Sequence, residues 1–125
     1  MRGAALVLAL AMPLAAAAEI VEIKWLDGGF SQKSTIAPKK FLEVCGKLKL
    51  QETVQWQFQG SAPSDFNIHY HVGRDVSYPE QRKGIASASG LLSVPLDQDY
   101  CWMWSNRSTE TITVELSLKR GKAAQ

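Results

Sequence analysis

Charge of one sign is not in excess in this 125-residue chain: Lys and Arg total 14 against 12 Asp and Glu. So even a balance gives no reason to expect a nucleic-acid or anionic-membrane partner. Past the first eighteen residues there is no long apolar run, so no stable membrane anchor is expected once the leader is removed. The sequence also lacks a G-x-S-x-G, an H-E-x-x-H and a phosphate-cradling glycine loop. Asp97 and Asp99 flank Gln98 just before a strand pattern, where turn chemistry accounts for them better than acid–base work. The chain is therefore not expected to be an enzyme. There is no internal repeat and no helix-period stretch long enough to cover a sheet.

What is present begins with a leader. Arg2 precedes an apolar segment from Gly3 to Leu14, and Ala16-Ala17-Ala18 supplies a small-residue cleavage pattern. Residues 1–18 read as a signal peptide and 19–125 as one mature domain, secreted or periplasmic. Without Arg2 the mature chain carries 13 basic and 12 acidic residues, a net charge of +1. The two cysteines, Cys45 and Cys101, are then expected to form a disulfide in an oxidising compartment. The basic tail Lys119–Lys122 reads as a frayed terminus.

The body of the chain alternates with period two. Val54, Trp56 and Phe58 interleave with three glutamines, and Phe66, Ile68, Tyr70 and Val72 with Asn67, His69 and His71. Such alternation marks strands with one buried and one wet face. Gly60, Pro63 and Asp65 stand between the two runs, so they predict the turn of a central antiparallel hairpin. Val21, Ile23 and Trp25 mark a first strand, and Ser34–Ile36 a short edge strand before Pro38. Gly46 reads as a bend or bulge after Lys40–Cys45. Tyr100, Trp102 and Trp104 share one face, and Thr111–Leu118 is the cleanest alternating strand. About eight strands with sandwich-like spacing predict an all-β fold, a single antiparallel β-sandwich. Trp56, Trp102 and Trp104 fall in phase with aliphatics and are expected in the core.

Two pieces of this pattern resemble a known family. Val54-Gln-Trp56-Gln-Phe58 with Asp65–Val72, and Tyr100–Asn106 leading into Thr111–Leu118, are similar to the GOLD (Golgi dynamics) domain. The likeness spans roughly residues 40–118 and rests on core and turn positions. It implies a compact β-sandwich that interacts with proteins or lipids. GOLD receptors continue into a coiled coil and a membrane span, and this chain is instead expected to be a free secreted version. Asn106-Arg107-Ser108 is a formal glycosylation sequon.

Function is expected to be non-catalytic binding, centred on the histidine strand. His69 and His71 project from one strand face, and the polar stretch Arg74–Lys83 reads as a long loop beside them, a solvated connection in the first place and a recognition loop as the functional option its length leaves open. His69, His71, Arg74, Tyr78 and Glu80 are the candidate partner-binding residues. The alternative reading is a copper or zinc site on His69 and His71 with Met103 assisting, provided the Tyr100–Trp104 strand lies alongside.

Overall fold

A computed structural model of the chain describes residues 3–4 and 19–122. The signal-peptide assignment therefore falls, apart from residues 3 and 4, outside the described residues. Seven strands follow one another with no helix among the described residues: β1 (Glu19–Glu22), β2 (Gly29–Ile36), β3 (Phe41–Leu48), β4 (Glu52–Val72), β5 (Asp75–Ser93), β6 (Gln98–Ser105) and β7 (Ile112–Lys122). Among the described residues no helix is long and apolar enough to cross a membrane.

The all-β expectation holds, and β4 is what builds the layers. Its first half pairs with β7 from Glu52 to Gly60, and its second half pairs with β6 from Asp65 to His69. β5 runs antiparallel along both halves. One leaf is thus β1-β3-β6 against the end of β4, and the other is β2-β7 against its beginning. Inward residues of the two halves form a single core with Trp56, Phe58, Phe66, Ile68, Tyr100, Trp102 and Trp104 at its centre. Phe58 meets the edge of Trp104 with ring centroids 5.4 Å apart, which ties one leaf to the other.

Five expectations are corrected here. Gly60–Asp65 is a bend inside one strand, marked by register shifts, and the chain does not reverse there. The hairpin closes instead at Gly73-Arg74, where Gly73 takes φ +61 between the paired Val72 and Asp75. The stretch from Arg74 to Lys83 is accordingly strand β5 rather than a loop, apart from the turn residue Arg74. Gly46 lies in straight β3, where its bare Cα admits Ile23; a Cβ there would stand 3.0 Å from Ile23 Cβ. The sandwich is also not wholly antiparallel, because β1 runs parallel to β3. The tail to Lys122 belongs to β7, with Arg120 lying 4.8 Å over the Trp25 ring.

Candidate functional site

Strand register sets out the outer face of the β1-β3-β6 leaf as two rows. Cys45, Cys101 and His69 form one row across β3, β6 and β4; Glu43, Met103 and Asn67 form the next. Val44, Trp102 and Ile68, which alternate with these residues, point into the core. β6 does lie beside the histidine strand, so Cys101 and Met103 join the imidazoles on this face as expected. Cys45 and Cys101 are joined in a disulfide, separated by 56 residues in sequence. Closing a loop of that size restricts the unfolded chain by roughly 4 kcal/mol.

The two histidines differ. His69 is only 5% exposed, contrary to the expectation of a solvated side chain. Its Nε2 stands 3.1 Å from Glu43 Oε1, and its Nδ1 2.7 Å from Asn67 Oδ1. Two oxygens suit an imidazolium, whereas burial disfavours that charge. Burial has the larger effect, holding His69 below the usual imidazole range against the upward pull of Glu43. The neutral ring then has one N–H, which donates to Glu43, and Nδ1 accepts from the Asn67 amide once that group is turned. Neither Glu43 nor Asn67 is among the site residues expected from the sequence, although Asn67 alternates onto the same face as both histidines and Glu43 sits two positions before Cys45 on its own strand face.

His71 is exposed, with its ring 5.3 Å from that of His69. It pairs across the strands with Val76, and Tyr78 packs 6.0 Å from His69. Tyr78 and Pro79 together occupy a bulge in β5 opposite His69, where the missing proline N–H interrupts no regular pairing. Tyr78 is 49% exposed and Val76 is exposed, and with His71 they make a mixed apolar patch near the hairpin end; exposed Val72, in phase with Ile68 and Tyr70, lies on the opposite face.

The remaining candidate residues do not all join this patch. Arg74 is in the hairpin turn. Glu80 pairs with buried Ile68, so it lies on the opposite face, 3.3 Å from Arg82. Arg82 lies over the Trp56 ring at 5.7 Å. A shallow groove of about 660 Å³ lies on the outer face of the other leaf, among Gln57, Gln59, Ser87, Ser117 and the Lys33–Glu115 pair. It shares no lining residue with the histidine face.

Two loop residues are structural. Asp97 Oδ1 accepts the Leu50 N–H at 2.7 Å, which agrees with its reading as turn chemistry. Asn106 is 1% exposed; its Nδ2 donates to the carbonyls of Glu110, Ile36 and Ala37, and its Oδ1 accepts from Ser108. A side chain so enclosed offers no amide to glycosylation in the folded protein.

No family model and no curated protein matches the chain. Solved structures do. The chain is similar to the Aeromonas hydrophila PliG, a periplasmic lysozyme inhibitor of g-type lysozyme, with a TM-score of 0.64 and 16% identity over 84% of this chain and 98% of that one. A PliG mutant from Escherichia coli gives a TM-score of 0.57 and 14% identity over 84% of this chain and 100% of that one. The Yersinia pseudotuberculosis-derived mitogen gives 0.57 and 13%, over 73% and 84%. At such identities the likeness carries the fold: a small β-rich domain matched over nearly its full length.

Proposed function

We propose that this chain is an exported, non-catalytic binding protein whose partner is another protein, and that the partner is a lysozyme. The observation that carries this reading is the nearly full-length fold match to periplasmic inhibitors of g-type lysozyme. The leader pattern and the disulfide support an exported chain working in an oxidising compartment. The likeness to GOLD domains supports the same general use, a rigid sandwich presenting a surface to a partner.

The patch of His71, Val76 and Tyr78 beside Arg74 is the contact surface in this reading. It combines an aromatic anchor, aliphatic area and one cation, a mixture common in interface centres. The fixed β4–β5 hairpin presents it at little conformational cost.

The test is lysis of a peptidoglycan suspension by g-type lysozyme with increasing amounts of the mature protein. Dose-dependent inhibition at a stoichiometry of one is the expected result. No inhibition of g-type lysozyme, together with no complex on size exclusion, removes the lysozyme reading.

A further inference from the structure

We propose that the Cys45–Cys101 disulfide masks a zinc site, which reduction opens, built from both cysteine thiolates, His69 Nε2 and the Glu43 carboxylate. The ligating atoms of Glu43, His69 and Cys101 already lie within 4.8 Å of one another. Tetrahedral zinc with such ligands places them about 3.3–3.8 Å apart, so these three close in by about 1 Å while the two sulfurs, no longer bonded after reduction, separate to the same spacing. The three strands that carry them are hydrogen-bonded neighbours, which fixes their spacing.

Asn67 completes the arrangement. In the zinc-bound form the ring changes tautomer: its proton moves from Nε2 to Nδ1 and is donated to Asn67 Oδ1, 2.7 Å away, which leaves the Nε2 lone pair facing the cluster. Two thiolates, an imidazole and a carboxylate suit zinc. His71 and Met103 are not in this set, which distinguishes it from a site on His69, His71 and Met103.

The redox step needs a two-electron donor, either a dithiol or a trialkylphosphine. A dithiol breaks the S–S bond, becomes a disulfide itself, and leaves one proton on each sulfur. A phosphine does the same with one water and becomes the phosphine oxide. Zinc then displaces both thiol protons and is neither oxidised nor reduced.

Mature protein is reduced with a trialkylphosphine, freed of it anaerobically, and titrated with Co²⁺ as a coloured stand-in and then with Zn²⁺. One Co²⁺ per reduced chain, with thiolate-to-cobalt absorption bleached by zinc and no such binding by the disulfide form, is expected. Zinc is also expected to raise the Tm of the reduced protein by mass action. Glu43→Gln, which keeps the fold, and His69→Ala each weaken cobalt binding at least tenfold. If reduction loosens the fold, recovery of near-UV circular dichroism on adding zinc supports the site. Absence of binding, absence of that recovery, or equal cobalt affinity in both variants overturns it; equal affinity means two thiols of a loosened chain.

Discussion

Phe58 and Phe66 pack with ring centroids 4.6 Å apart although they stand on opposite sides of the bend in β4. Phe58 belongs to the half paired with β7, and Phe66 to the half paired with β6. Their contact closes one long strand onto itself and brings the two leaves together. Phe66→Ala is expected to lower unfolding stability by about 3–5 kcal/mol, read from denaturant midpoints. A loss below 1 kcal/mol would mean that the bend does not depend on this packing.

Gly90 faces the Trp56 ring, and a Cβ at that position would stand 2.6 Å from Trp56 Cζ2. The indole is buried among Phe58 and Phe66 and has little room to retreat. Gly90→Ala is therefore expected to destabilise by about 1–3 kcal/mol through overpacking. Gly73→Ala, with open space around it, costs less in contacts and acts through its positive φ. Thermal melts of the two variants side by side check the order.

Asp65 links the bend to the loop after β6. Burial alone would raise its carboxyl, but the Arg107 guanidinium and the Gly84 N–H outweigh this and hold it below the usual carboxylate range. A depressed folded pKa stabilises above the unfolded value near 3.8, and that increment is lost as pH falls through the folded value. Arg107→Leu is expected to lower stability at pH 6 by less than about 1 kcal/mol, because Arg107 is mostly exposed. The gap from wild type should shrink toward pH 2. A gap independent of pH would show that packing, not charge, is responsible.

Asn106 satisfies three carbonyls from the ends of β2 and the β6–β7 turn with one amide. Asn106→Ala leaves those groups without their donor and is expected to cost at least about 2 kcal/mol. Expression in a glycosylating host should yield folded protein without glycan at this position, checked by intact mass.

Much of the fold is legible in the sequence, and the parts that are not share physical reasons. Ile112–Leu118 and Val54–Phe58 alternate cleanly because one side of each meets the core. Gly60, Pro63 and Asp65 mark a departure from straight strand, but nothing in those residue types separates a bend from a reversal. Asp75–Lys83 reads as loop because the residues exposed on both faces of an edge strand lose the period-two signal. His69 reads as solvated because Glu43, its partner, comes from β3 across the width of β6, and cross-strand register is not written in either strand alone.

The contact surface is tested most directly by calorimetric titration of g-type lysozyme with wild type, Tyr78→Ala and Gln57→Ala proteins. Tyr78 belongs to the hairpin patch and Gln57 to the groove on the other leaf. Binding by wild type and Gln57→Ala, with affinity reduced tenfold or more in Tyr78→Ala, is the expected result. Unchanged affinity in Tyr78→Ala with loss in Gln57→Ala would place the partner on the opposite leaf and contradict the histidine face as the binding surface.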